Sequence, residues 1–258
     1  MKRVMLTVAY DGTAYSGSQV QDNAPTVEGE LNRCLSELLA EDIHVSGASR
    51  TDAGVHALCN LAVFDTATRI PGEKISYALN QRLPESIRIR GSEEVEADFH
   101  PRRCSSRKTY EYRIVNASFP IPTKRLYACF VHDPLRVDKM KQAAAYLTGE
   151  HDFKSFCSAG SKVLTTVRTI YDVQVEWEGE EIIIRVTGNG FLYNMVRIIA
   201  GTLLEVGKGR WEPEYIIHIL EACDRSFAGP TAPACGLMLT NYEFQIENSC
   251  KIAEKSKI

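Results

Sequence analysis

The sequence predicts an α+β protein built of two similar halves. Three observations carry that prediction. Segments through the first hundred residues follow a β-α-β-β-α-β order, and the remainder repeats a comparable rhythm. The composition, 44% hydrophobic and 24% charged over 258 residues, is ordinary for a packed globular chain. At roughly 150 residues per domain, that length describes one large domain or two small ones.

Each element has its own signal. Arg3 to Tyr10 is a β-rich run closed by the turn pair Asp11-Gly12. Thr26 stands as an N-cap before Val27, Leu31, Cys34, Leu35, Leu38 and Leu39, whose spacing marks one apolar helix face. Residues 43–46 read as a short strand, followed by a polar loop and a longer strand over 55–64. A helix over 73–82 and a strand over 87–95 complete a split-βαβ, ferredoxin-like order in residues 1–100. In residues 101–248, strands are expected over 109–115 and 127–132, a helix over 138–147, and a hairpin joining 170–177 to 181–187. Helices over 192–206 and 213–223 and a strand over 237–244 follow, and residues 249–258 are expected to fray.

Several function classes lose support at once. The apolar stretch Val4–Tyr10 is too short for a signal-peptide core, and Phe191–Val206 is broken by Arg197 and Glu205. A cytoplasmic location without membrane contact is therefore expected, with the eight cysteines, none in a CxxC pair, as reduced thiols. The six histidines show no HExxH and no Cys/His ligand spacing, so no metal is expected. Gly207-Lys208-Gly209 and Gly188-Asn189-Gly190 lack the rest of a phosphate or dinucleotide loop. Gly47-Ala48-Ser49-Arg50-Thr51 lacks the closing glycine of a nucleophile elbow. The formal charge of −3 means that any nucleic-acid surface must be a local patch.

Three features remain. Asp52 is the sole acid between Ile43 and Phe64, in a glycine-containing loop where a strand breaks, with Arg50 two residues away. A carboxylate beside an arginine stays ionised and can serve as base or nucleophile, yet the same residues also describe a turn with an ion pair. The segment 99–113, FHPRRCSSRKTYEYR, sets Arg102, Arg103, Arg107, Lys108 and Arg113 against the single acid Glu111, with Tyr110 and Tyr112 at its end. That mixture suits phosphates and a stacked base, and equally a solvated loop entering an edge strand. Arg197 lies in an apolar helix, where a guanidinium needs a carboxylate or phosphate partner; that partner is either a structural acid or Asp52 itself.

Together the segments resemble the tRNA pseudouridine synthase A family. The likeness runs through YDGTAYSGSQVQ (10–21), ASRTDAGVHA (48–57), FHPRRCSSRKTYEYRI (99–114), GEHDFKSFC (149–157), TVRTI (166–170), GFLYNMVRIIAGTLLEVGKG (190–209) and APACGLMLTNYEF (232–244). It departs at Ser18, where the family usually reads Trp in a segment expected to approach RNA.

The resemblance implies isomerisation of uridine in RNA: the N1–C1′ bond breaks, the uracil turns and C5 joins C1′, with no cofactor, metal or ATP. It implies Asp52 as the catalytic aspartate, attacking the nucleoside or removing a ribose proton, and Arg197 as the group holding that carboxylate ionised and oriented. Tyr110 would stack on the flipped uracil and help to move the C5 proton, and Leu237 would line the uracil pocket. Arg50 would help to extrude the nucleotide or fill its place, since a stacked base must leave the stack to react. Arg102, Arg103, Arg107 and Lys108, with Lys154, Lys162 and Arg168, would track phosphates. The implied fold joins two ferredoxin-like halves in a central, mostly antiparallel sheet with a cleft between them. The implied partners are tRNA, with uridines 38 to 40 as targets, and a second copy in a homodimer. The competing readings are the same chemistry on another RNA, an RNA-binding homologue without catalysis, and a metal-free hydrolase. The hydrolase would need a second carboxylate that the 43–64 region does not offer.

Overall fold

The computed structural model describes residues 1–160 and 163–244, so Lys162 and the tail 249–258 lie outside the described residues. The first half contains β1 (Lys2–Tyr10), α1 (Val27–Leu39), β2 (Ser46–Gly47), β3 (His56–Thr66), α2 (Gly72–Asn80) and β4 (Ile87–Val95). The Thr26 hydroxyl caps α1 by accepting from the Gly29 amide at 3.2 Å, as its place before an apolar face requires. The second half contains β5 (Ser106–Asn116), β6 (Cys129–Val131), α3 (Val137–Ala145), β7 (Gly149–Asp152), β8 (Val167–Glu178), β9 (Glu181–Gly188), α4 (Met195–Gly207), α5 (Tyr215–Ala222) and β10 (Leu237–Phe244).

The strands form one mixed sheet in the order β4-β1-β3-β10-β5-β9-β8-β7, with β2 added to β3 and β6 to β5. Pairing along that path is antiparallel except between β10 and β3, which run parallel through Met238↔His56 and Leu239↔Ala57. The last strand in sequence therefore sits at the centre of the sheet and joins the two halves. Its other edge pairs with β5 from Leu237↔Tyr112 to Phe244↔Ser106.

Helix α4 is almost wholly buried; Arg197 is its one residue that is not. It approaches the chain so closely at Gly201 that a Cβ there would stand 1.8 Å from the Pro230 carbonyl oxygen.

Several element bounds shift by two or three residues from the sequence expectation, and four of the differences have a physical reason. The strand expected over 43–46 shrinks to Ser46–Gly47, because the amides of Ile43 and Val45 donate to Ser36 and Asn32 on α1 instead of to a strand. The helix expected from Leu192 starts at Met195, since Asn194 has φ 60°, outside the helical region. The helix expected over 213–223 is confined to Tyr215–Ala222 and ends where Cys223 turns left-handed at φ 47°. Strand β7 was not foreseen: its sequence GEHD has no apolar alternation, and it is extended because it pairs with β8 from Gly149↔Ile170 to Asp152↔Val167.

Gly201→Ala should destabilise the fold by about 1–3 kcal/mol, the usual range for overpacking a tight core. Urea unfolding measures it, and an unchanged midpoint would show that the Pro230 segment yields without cost.

Candidate active site

At the junction of the halves lies a cavity of about 710 Å³. Asp52, Arg50, Arg102, Lys108, Tyr110 and Leu237 line it together with Phe191 and Asn194, and Asp52 is the sole acid among the described residues that line it. The sheet order explains the assembly. β10 begins at Leu237, β5 carries Lys108 and Tyr110, and β3 starts just after the Asp52 loop, so three adjacent strands deliver their residues to one place.

The loop is fixed from two sides. Asn60, a buried amide in the middle of β3, donates to the Ser49 carbonyl at 2.8 Å and accepts from the Ser49 amide at 3.2 Å. It also donates to the Tyr10 hydroxyl, which shares a 2.8 Å hydrogen bond with Thr51 Oγ1. From the other side, Ser18 Oγ accepts from the Thr51 amide at 2.9 Å. Gly54, at φ +76°, makes the turn that returns the chain from Asp52 to β3, a conformation that side chains rarely adopt.

Arg197 reaches Asp52 from 145 positions away: its Nη1 lies 3.4 Å from Asp52 Oδ2 and donates to Asn194 Oδ1 at 2.9 Å, while Nε donates to the Ala232 carbonyl at 2.7 Å. The guanidinium is thus aimed by its neighbours rather than by Asp52 alone. Arg50, the cation that sequence spacing places beside Asp52, is instead exposed at the cavity lip and makes no ion pair with it. Burial pushes the Asp52 carboxyl above its ordinary pKa, and Arg197 pulls against that shift without cancelling it. The resemblance implied that Arg197 keeps the carboxylate ionised; here it limits what burial would otherwise do.

Tyr110 is buried and meets Phe191 edge-on, with centroids 5.1 Å apart. Burial, followed by Tyr10 and Asp52, raises its phenol well above the usual value, so it is neutral at pH 7. Lys108 sits over the Tyr242 ring at 5.0 Å. Burial, and after it the nearby Arg102 and Arg168, push its ammonium down to about 8.

The remaining basic residues lie outside the cavity wall. Arg103 and Lys154 are exposed, Arg107 covers the Tyr171 ring at 4.5 Å, and the Arg168 guanidinium donates to the carbonyls of Thr165 and Val167. Residues that sequence reasoning missed are Asn60, Asn194 and Phe191. Asn60 alone had a local signal, an amide amid Leu58, Leu61, Ala62 and Val63. Among the described residues no cluster of three or more His, Cys, Asp or Glu is placed to hold a metal.

A profile of the tRNA pseudouridine synthase family matches residues 6–102 and 143–245. The chain belongs to the tRNA pseudouridine synthase family. It is 52% identical over 239 residues to a protein of Brevibacillus brevis named tRNA pseudouridine synthase A, covering 93% of this chain and 98% of that one. Proteins of the same name from Thermoanaerobacter sp. and Ruminiclostridium cellulolyticum are 47% and 48% identical, again over 93% of this chain and 98% of theirs. Among solved structures, an H/ACA ribonucleoprotein bound to a substrate RNA aligns weakly, at a TM-score of 0.37 and 15% identity, over 79% of this chain and 44% of that one. In this member of the tRNA pseudouridine synthase family, Arg50, Asp52, Arg102, Arg197 and Leu237 lie within the matched ranges, whereas Lys108 and Tyr110 fall in the stretch between them.

Arg197→Met should raise the Asp52 carboxyl further, because the cation opposing burial is gone. Carbon-13 NMR titration of the labelled carboxyl reads this directly. A value equal to or below the wild-type one would show that Arg197 does not act on Asp52.

Proposed function

We propose that this protein converts uridine to pseudouridine in tRNA, at positions 38 to 40 of the anticodon stem-loop, with Asp52 as the catalytic carboxylate. The observation that carries the reading is the single acid among the described residues lining the cavity, 3.4 Å from Arg197, in a wall that also holds Tyr110 and Leu237. The family and the near-full-length relatives support the reaction class.

The chemistry balances within one molecule: the N1–C1′ bond breaks, C5 bonds to C1′, and the hydrogen on C5 leaves as N1 gains one. Asp52 acts as an anion, either on C1′ as nucleophile or on a ribose proton as base. Its carboxylate is half-buried, 26% exposed, so it is incompletely solvated and correspondingly more basic and nucleophilic. Leu237 bounds the uracil, and the ring of Tyr110 supplies an aromatic surface for it. The neutral phenol can donate or pass on a proton while the C5 hydrogen moves.

The target nucleotide must leave its helix to reach this wall. Arg50 at the lip is placed to help extrude it or to occupy its space. Arg102 and Lys108 at the cavity, with Arg103, Arg107, Lys154 and Arg168 beyond it, would follow the phosphates. None of these six makes an ion pair with a carboxylate among the described residues, which leaves their charge available to an anionic partner. In this reading the protein works in the cytoplasm as a homodimer on tRNA. A metal-free hydrolase is less well supported, because no second carboxylate lines the cavity among the described residues.

Purified protein incubated with unmodified tRNA transcripts, followed by base-by-base mapping, tests the proposal. The expected result is pseudouridine at 38 to 40 with wild type and none with Asp52→Asn, whose tRNA affinity stays within a few-fold. Product at other positions would displace the target, activity in Asp52→Asn would remove the aspartate from the chemistry, and no product with wild type would leave an RNA-binding protein.

A further inference from the structure

Ser18 stands where the family resemblance expects a tryptophan approaching RNA, and the structure puts it elsewhere. The residue is 3% exposed and does not line the cavity. Its backbone is seated on α1: the Val27 amide donates to the Gly17 carbonyl at 3.3 Å and the Glu28 amide to the Ser18 carbonyl at 2.9 Å. Two otherwise unbonded amides of the first helical turn thereby find acceptors, so residues 17 and 18 form a rigid base.

From that base, Ser18 grips the segment leading into Asp52. Its amide donates to the Thr51 carbonyl at 3.1 Å. Its hydroxyl accepts from the Thr51 amide at 2.9 Å and donates to the Ser49 carbonyl at 3.4 Å. One small side chain thus holds both neighbours of Arg50, and the second of them precedes Asp52. The two backbones approach so closely that a Cβ on Gly17, itself at φ +104°, would stand 2.9 Å from the Thr51 carbonyl oxygen. A hydroxyl suits the place because it accepts and donates at once; an indole offers only a donor and could not receive the Thr51 amide.

We propose that Ser18 is a positioning residue of the reaction, fixing the Ser49–Thr51 backbone so that Asp52 meets its substrate in register, and that it takes no part in choosing the RNA. This rests on the assignment of Asp52 above. Asn60 holds the same loop at Ser49 from the β3 side, and the Ser18 amide still holds the Thr51 carbonyl, so losing the Ser18 hydroxyl loosens one edge and leaves the other tied. The effect is therefore expected on the rate of the chemical step rather than on folding or on RNA affinity.

The test compares wild type with Ser18→Ala, Ser18→Cys and Ser18→Thr, and with Asp52→Asn, on a tRNA transcript. It measures kcat, KM, tRNA affinity and hydrogen exchange at the Thr51 amide. Ser18→Ala should lose about 10- to 100-fold in kcat, the scale set by small misplacements of reacting groups. KM and tRNA affinity should stay within about two-fold of wild type. The Thr51 amide should exchange faster, and Ser18→Thr, which keeps the hydroxyl, should restore both readouts. Ser18→Cys is nearly isosteric with a weak hydrogen-bonding thiol, so it should give the same split in milder form even if the alanine variant folds poorly. Wild-type kcat in both Ala and Cys variants would overturn the proposal. So would a rise in KM and loss of affinity matching the loss of rate, which would make Ser18 an RNA contact. Activity surviving in Asp52→Asn would instead strike the assignment of the aspartate, so the two failures are told apart.

Discussion

The parallel pairing of β10 with β3 is the constraint on which the site depends. β10 comes from the end of the described chain and enters the sheet between β3 and β5, so its first residue, Leu237, faces the same cavity as Tyr110 on β5 and the loop preceding β3. Without that insertion the two halves would carry their functional residues on separate sheets. The parallel segment is short, two register pairs, whereas the antiparallel edge with β5 extends from Leu237 to Phe244. β10 is therefore anchored mainly to β5 in its own half and reaches β3 through the short parallel pairing, and the Asp52 loop is brought up to that seam by its own hydrogen bonds.

Those bonds matter because the electrostatics of Asp52 are a balance rather than a simple ion pair. Burial raises the carboxyl and Arg197 lowers it, at a separation of 3.4 Å that is long for a charge-assisted hydrogen bond. The guanidinium is committed more tightly to Asn194 and to the Ala232 carbonyl. Arg197 is thus a fixed charge held by α4 and its surroundings, leaving the carboxylate free to engage another group. A tight bidentate pair would have satisfied Asp52 and withdrawn it from chemistry. Around this centre the cavity rim is cationic in a chain whose formal charge is −3, so the positive field is local.

Much of this was legible in the residues themselves. Ile87–Val95 and Leu237–Phe244 form the expected strands to the residue, because each is a β-rich run bounded by turn or loop signals. The lone acid in 43–64 and the charged residue in the apolar stretch 192–206 each pointed to something unusual, and the structure brings Asp52 and Arg197 together. What escaped local reading depends on partners distant in sequence. β7 is polar and becomes a strand through β8, while residues 43–45 give up strand pairing because α1 offers side-chain oxygens instead. Spacing alone suggested Arg50 as the cation beside Asp52, yet a helix 145 positions away supplies it, and no periodicity reports such a contact. Ser18 shows the same limit. Its segment could be matched to a family pattern, but that its hydroxyl bonds the backbone of Ser49 and Thr51 follows only from the fold.

The central claim is that one uridine leaves its stack and comes to rest between Leu237 and Tyr110 with its sugar facing Asp52. The most direct measurement is an experimental structure of the Asp52→Asn protein bound to an unmodified tRNA transcript. The account predicts one extruded uridine in the cavity, its C1′ turned to residue 52 and its base against Tyr110. A tRNA whose uridines all remain stacked, or an extruded base lodged away from residue 52, would contradict it.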